Sequence, residues 1–416
     1  MSARSLKPPP PSKSKPGSLD ADGYATDVID NGWIPDILGP GFEQRTLPLG
    51  KDDEGPVVCT VVRSLPQKQS RLKSDKRPLL GVDVLYVHGW SDYFFNRTLA
   101  KFFTDRGANF YALDLRKYGR SLRRWQTPGY ITNLDQYDRD ISAALKAIGR
   151  PVPKKPESGT EPHELPCAPS TPTAPLLLLG HSTGGLTLSL WAHRYPGAAQ
   201  GLFLNSPWLE FQLSDVGRHT VSPLVKVGAK FRPKGALPQI DMGFYTRAQR
   251  EEEDPEDRMS INPTWRPDQT HSVHSGWLQA IFTGQDHVSD GLRIECPVGV
   301  MLSRRTGIPT KWNPDLTRTD SVLEVESIAR DSLNLGPYVT MIRLDGALHD
   351  VFLSTRHVRK LAYLRMEQWL TGWAATLNIA DAAAHQDFCP PPTASADHDP
   401  AGQIAGDAVA PPPTRA

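Results

Sequence analysis

The chain has 416 residues, 38% of them hydrophobic, which is enough for one large core or for two domains. Its formal net charge of +1 gives no electrostatic reason to expect nucleic acid or an anionic membrane as a partner. No apolar run approaches the ~18 residues of a membrane span, and the basic N-terminal stretch "MSARSLKPPPPSKSKPGS" lacks the apolar centre of a signal peptide. Cys59, Cys167, Cys296 and Cys389 have neither metal-ligand nor disulfide spacing, so a reduced, cytoplasmic protein without metal or other cofactor is expected.

In chain order, "GPVVCTVVRS" (55–64) reads as a strand, and "VDVLYVHG" (82–89) as a continuously apolar strand stopped by Gly89. Residues 96–107 have helical spacing with a glycine stop, and "ANFYALDL" (108–115) is another strand. Residues 134–149 place Leu134, Tyr137, Ile141, Leu145 and Ile148 on one helical face. A strand at 174–180, a helix from about Ser182 to Tyr195 and a strand at 201–206 follow. After residue 294 the alternation resumes: strand 297–303, helix 321–333, strand 338–344, helix 357–377.

Twenty of the 39 prolines fall in residues 8–16, 151–175 and 390–413, among small and polar neighbours. Such stretches bury too little surface to offset the entropy of ordering. The expected layout is therefore a disordered tail (1–22), a first core part (23–206) with a Pro-rich surface insertion (151–175), an inserted segment (207–294), a second core part (295–378) and a disordered tail (379–416). Alternation of apolar strands with helices predicts an α/β protein: a mostly parallel central sheet with helices on both faces. The segment 207–294, rich in Trp, Pro and charge, is expected to form a helical lid at the carboxyl edge of that sheet. Its acidic run "EEEDPED" (251–257) reads as solvated surface.

"LLLLGHSTGGL" (176–186) raises the question of chemistry. Gly-x-Ser-x-Gly alone is weak, since roughly one chain in five of this length carries it by accident. Here it sits between a strand and a helix, where small residues at 180 and 184 permit a tight turn and the helix N-terminus favours developing negative charge. Ser182 is the candidate nucleophile. His349, after the last strand, is the candidate base; His88 is better placed to shape a loop, and His181 is expected to point away. The orienting acid should follow the strand 297–303. Asp320 heads "SVLEVESIAR" after an extended loop, Asp315 lies nearer the strand, and Asp286 has a familiar spacing but precedes it. Backbone N–H groups of Trp90 and Thr183 are the candidate oxyanion donors.

These motifs together resemble the α/β-hydrolase superfamily, nearest its monoacylglycerol-lipase and serine-aminopeptidase-like (lysophospholipase-type) branch. The carriers are "YVHGW" (86–90), "LDLRKYGRS" (113–121), "GHSTGG" (180–185), the strand "PVGVMLS" and "ALHDVF" (347–352), spanning about residues 42–378. The resemblance implies an α/β-hydrolase fold, a triad of Ser182, Asp320 and His349, and a bracing role for Asp114 and Arg116 near the oxyanion loop. Lys117 departs from the family's glycine, and the acid loop is longer than usual. The expected function is a serine esterase or lipase acting on a small hydrophobic ester through an acyl-enzyme. A peptidase or amidase, an acyltransferase and a non-catalytic binding protein are the competing readings. The aromatic residues of 207–294 (Trp208, Phe211, Phe231, Phe244, Tyr245, Trp265, Trp277) and of the loop after 89 (Trp90, Tyr93, Phe94, Phe95) would either hold an apolar acyl group or pack lid to body.

Overall fold

Apolar runs punctuated by glycine build the centre of one nine-stranded sheet. The computed structural model describes residues 17–26, 30, 32–67, 76–155, 174–211, 225–238, 241–258, 261–307 and 310–382. Most of the expected N-terminal tail, the middle of the Pro-rich insertion and the C-terminal tail past Ala382 lie outside the described residues. The strands are β1 (Ile34–Pro35), β2 (Glu43–Asp52), β3 (Gly55–Ser64), β4 (Asp83–Val87), β5 (Asn109–Asp114), β6 (Leu176–His181), β7 (Gly201–Asn205), β8 (Val298–Ser303) and β9 (Val339–Leu344), in the order β1-β2-β3-β5-β4-β6-β7-β8-β9. Pairings from β5 to β9 are parallel, while β1, β2 and β3 extend the sheet in antiparallel fashion. β4, β6, β7 and β8 are buried along their whole length, as strands covered on both faces must be.

The helices with both ends among the described residues include α1 (Arg97–Asp105), α2 (Tyr137–Ala147), α3 (Thr183–Arg194), α4 (Phe244–Glu252), α5 (Pro255–Arg258), α6 (Ser275–Ser289), α7 (Val325–Asp331) and α8 (Arg356–Ala382). α2, α3 and α6 supply Ile141, Leu145, Leu186, Trp191 and Phe282 to one core layer. α1 and α8 supply Leu99, Phe103, Met366, Leu370 and Trp373 to the other. Each layer buries an amphipathic face that would otherwise leave water-exposed apolar surface, worth about 25 cal/mol per Å². α1 starts where Asn96 Oδ1 accepts the Leu99 N–H at 2.8 Å, a side-chain cap at the first residue of the expected helix. No helix among the described residues is long and apolar enough to cross a membrane.

The structure differs from the sequence reading at several elements. β2 was not expected: Pro48 and a high charge content mask it, and the strand accommodates Pro48 where its register with β3 shifts, between Pro48 and Gly50. The helix expected at 321–333 shrinks to Val325–Asp331, because Asp320 Oδ1 accepts the N–H groups of Val322 and Leu323 and turns the chain before Glu324 caps α7. Residues 17–22, placed with the tail, are seated on the body: Leu19 bridges Ala25, and Asp20 pairs with Arg124. The run 251–257 is not simply solvated, since Glu253 and Asp257 are buried.

The topology reverses at β4, so the carboxyl ends of β4 and β6 lie side by side, with Val87 paired to Gly180. Such a switch point leaves a crevice for a ligand. The segment between β7 and β8 contributes α4, α5 and α6; α6 lies so close to α3 that a Cβ on Gly284 would come 3.0 Å from Leu190 Cδ1.

Candidate active site

At the end of β6 the chain must turn into α3 within one residue. Ser182 takes φ +51° and ψ −118°, a conformation that costs a non-glycine residue roughly 1–2 kcal/mol. The surrounding glycines make room for it. A Cβ on Gly180 would come 2.7 Å from Gly185 Cα, and one on Gly184 would come 2.3 Å from the Val87 carbonyl oxygen. The Ser182 N–H donates to the Asn205 carbonyl at 3.1 Å, tying the turn to β7.

His349, on the turn after β9, reaches over this elbow. Its Nε2 lies 3.0 Å from Ser182 Oγ, and its Nδ1 lies 2.9 Å from Asp320 Oδ2. A carboxylate there accepts, so Nδ1 carries the hydrogen and Nε2 is free to accept from the serine hydroxyl. All three residues are buried. Asp320 is fixed in turn, since its Oδ1 accepts the Val322 and Leu323 N–H groups at 2.8 Å each, and its N–H donates to the Arg305 carbonyl. Of the two other carboxylates considered, Asp315 is exposed in a short helical turn (Pro314–Arg318), and Asp286 lies in the last turn of α6.

His88 shapes its loop as expected, with Nδ1 2.8 Å from the Gly89 carbonyl and Nε2 accepting the Leu115 N–H. His181 does not point away: its ring centre lies 5.0 Å from that of His349, and its Nδ1 meets the Asn205 carbonyl at 3.1 Å. The strand ends one residue late, at His181 itself, which keeps that side chain beside the site. Burial pushes the pKa of His181 down, and His349 adds to the effect.

The loop after β4 passes directly beside the elbow. A Cβ on Gly89 would come 3.0 Å from Ser182 Cβ, so the Trp90 peptide begins next to Ser182. Asp114 holds this loop: Oδ1 accepts the Phe94 N–H, while Oδ2 accepts from Arg120. Arg116 does something else. It forks onto Asp140 of α2 and reaches the Gln136 carbonyl, bracing α2 against β5 rather than the loop. Lys117 keeps the left-handed backbone a glycine would adopt, with φ +62°, and its buried amine bridges Asp52 and Glu54 at 2.6 Å each. Asn205, which the sequence reading did not single out, and Tyr245, which it named only as one of the lid aromatics, also hold the His349 turn.

Comparison with known proteins converges on the same architecture. The profile of the family "Serine aminopeptidase, S33" matches residues 165–281, which include the elbow. The chain is similar to a soluble variant of monoglyceride lipase from Saccharomyces cerevisiae, solved with a substrate analogue, at 14% identity and TM-score 0.53, covering 79% of this chain and 96% of that one. It is also similar to a lipase in an open form, at 13% identity and TM-score 0.51, covering 80% and 99%. No curated protein sequence matches it. The chain has the α/β-hydrolase fold.

The elbow at Ser182 opens into a cavity of about 440 Å³. Trp90, Trp208, Phe211, Leu237, Val273 and Trp277 give it an apolar wall, and Asp92, Asp241, Gln249 and Arg266 a polar one. Of the aromatic residues singled out in the sequence, Phe244 and Tyr245 also line it, whereas Tyr93 packs edge-on against Trp265 in the core and Phe231 is exposed. Burial pushes Asp92 up to about 6, against the pull of Arg266, whose Nε lies 3.4 Å from Asp92 Oδ1. Arg266 is itself held by Glu253 and Gln249, while Asp92 Oδ1 has no hydrogen-bond partner among the described residues. No cluster of His, Cys, Asp and Glu among the described residues could hold a metal ion.

Proposed function

We propose that this protein is a serine hydrolase that cleaves a carboxylic ester of a hydrophobic or lipid-like substrate. The observation that carries the reading is the unbroken series Ser182 Oγ, His349, Asp320 at the floor of an aromatic-walled cavity. In this reading His349 Nε2 takes the hydroxyl proton as Ser182 Oγ attacks the carbonyl carbon. Asp320 steadies the imidazolium, and the proton passes to the leaving alkoxide as the acyl-enzyme forms. Water, activated by the same histidine, then releases the acid. The N–H groups of Trp90 and Thr183 are the oxyanion donors: Thr183 opens α3, where the helix N-terminus favours negative charge, and Trp90 follows the glycine packed on Ser182. The segment 207–294 acts as a lid, since its aromatic side chains form much of the cavity wall.

The acidic residues of the polar wall favour one second reading, cleavage of a substrate with a free amino group. Arg266 beside Asp92 opposes it, because the carboxylate's charge already has a partner. A panel of p-nitrophenyl esters and aminoacyl amides separates the two. Ester turnover is expected, with Ser182→Ala lowering kcat by roughly four to six orders of magnitude while the fold is retained. Undiminished ester turnover in that variant would sink the assignment.

A further inference from the structure

The turn that carries His349 is held before the histidine by the hydroxyls of Ser303, on the Ala347 carbonyl, and Ser354, on the Leu348 N–H, and after it, around Asp350, from two directions. From the sheet, Asn205 at the end of β7 donates through Nδ2 to Asp350 Oδ1 at 2.7 Å and accepts the Val351 N–H through Oδ1 at 3.2 Å. The backbone carbonyl of the same asparagine accepts the Ser182 N–H, so nucleophile and base are referred to one residue. From above, Tyr245 of α4 reaches down from the inserted segment. Its phenolic oxygen accepts the Asp350 N–H at 3.0 Å, and its ring meets the His349 ring edge-on, with centres 5.6 Å apart and planes at 74°. Tyr245 is thus the inserted-segment residue that touches both the imidazole and the peptide that follows it, 105 positions along the chain.

We propose that Tyr245 is a positioning residue for His349, so that the inserted segment sets the alignment of the base as well as roofing the cavity. This rests on the reading of Ser182 as nucleophile and His349 as base. Peptide N–H groups inside a protein need an acceptor. Removing the phenolic oxygen leaves the Asp350 N–H without this one and lets the peptide next to the imidazole shift, while Asn205, Ser303 and Ser354 still anchor the rest of the turn. Small displacements of a base from its nucleophile cost rate rather than affinity. A seated α4 therefore completes the site, and a displaced α4 leaves His349 held by Asp320 and its turn by Asn205, Ser303 and Ser354, without the contact above the ring.

The test uses the full chain and a fluorophosphonate probe, in which Ser182 Oγ forms a bond to phosphorus, fluoride leaves, and His349 takes the hydroxyl proton. In Tyr245→Phe the ring stays and the oxygen goes. The labelling rate is expected to fall about ten- to a hundredfold, with kcat for a p-nitrophenyl ester falling in parallel and KM staying within about twofold. Tyr245→Leu, which removes the ring contact too, is expected to lose more. Labelling of Tyr245→Phe at the wild-type rate, or a raised KM with unchanged labelling, would reduce Tyr245 to a piece of cavity wall and overturn the proposal. Absence of labelling at Ser182 in the wild type would instead remove the nucleophile reading, and this inference with it.

Discussion

Asp320 uses its two carboxylate oxygens for different ends. One meets His349 Nδ1, and the other accepts two peptide N–H groups of its own turn. Asp320→Asn keeps the turn acceptor but can present an amide N–H to the histidine, which favours the wrong tautomer. Ester kcat is expected to fall roughly 10⁴-fold while the thermal midpoint stays close to that of the wild type. Asp315→Asn, in an exposed turn, is expected to change neither quantity, and the pair of variants measured side by side checks the assignment. The sequence could rank Ser182 because its strand, glycines and helix are contiguous. It could not decide between Asp315 and Asp320, because the answer lies in how a long loop folds: Thr306 bridges Asp320 and brings it back beside β8. Asn205 had no local signal, and Tyr245 was legible only as a lid aromatic and not as a partner of the His349 turn, since these roles depend on contacts made 145 and 105 positions away.

At the scale of elements, legibility followed burial. β4, β6, β7 and β8 are covered on both faces and read as apolar runs. β2, near the sheet edge and carrying charge and Pro48, had no such pattern and was missed. The inserted segment was legible as an interruption but not as a set of contacts. It is fastened to the loop after β4 at several points: the Asn262 N–H donates to Tyr93 Oη, the His271 N–H donates to Ser91 Oγ, and Arg266 faces Asp92. Burial pushes the His271 ring down to about 4, although a hydrogen bond with the Trp265 backbone resists this. The unfolded chain takes up that proton near pH 6.5 and the folded one only near 4, so acid favours unfolding. The contribution of the neutral ring is full above pH 6.5 and is lost as pH falls toward 4. Replacing it with His271→Gln removes the dependence. The stability of the wild type relative to this variant, from denaturant midpoints, is expected to drop by roughly 2 kcal/mol between pH 7.5 and pH 5. A gap that stays constant would show that His271 is not held neutral by the fold.

Across the whole molecule, charged residues connect parts that the sheet alone does not. The tip of the β2–β3 hairpin carries Asp52, Asp53 and Glu54. Lys117, from the loop after β5, and Lys234, from the inserted segment, converge there and share Glu54. Burial opposes ionisation of Glu54, but hydrogen bonds from Lys117, Lys234 and Thr127 outweigh it and bring the carboxyl down to about 2. Losing one partner of a buried pair strands the other, which is costly. This is a physical reason for a lysine to stand where the resembling family has glycine, despite the positive φ at 117. The network joins the antiparallel end of the sheet to the segment over the cavity, across the Tyr130 ring that both amines approach.

The cavity wall has one more property of the whole molecule. Trp90 from the loop after β4 and Trp277 from α6 bring their ring centres to 3.9 Å, with Trp208 6.0 Å from Trp277. Indoles this close share their electronic transitions. Any ligand that enters must rearrange or cover chromophores that belong to different parts of the chain. The near-ultraviolet circular dichroism of the protein is therefore expected to change on filling the cavity with an inert hydrophobic ester analogue, even in Ser182→Ala, where no bond is made. An unchanged spectrum under saturating analogue would mean that the ligand sits elsewhere. The protein carries its own optical gauge of occupancy, and that gauge reads binding separately from chemistry.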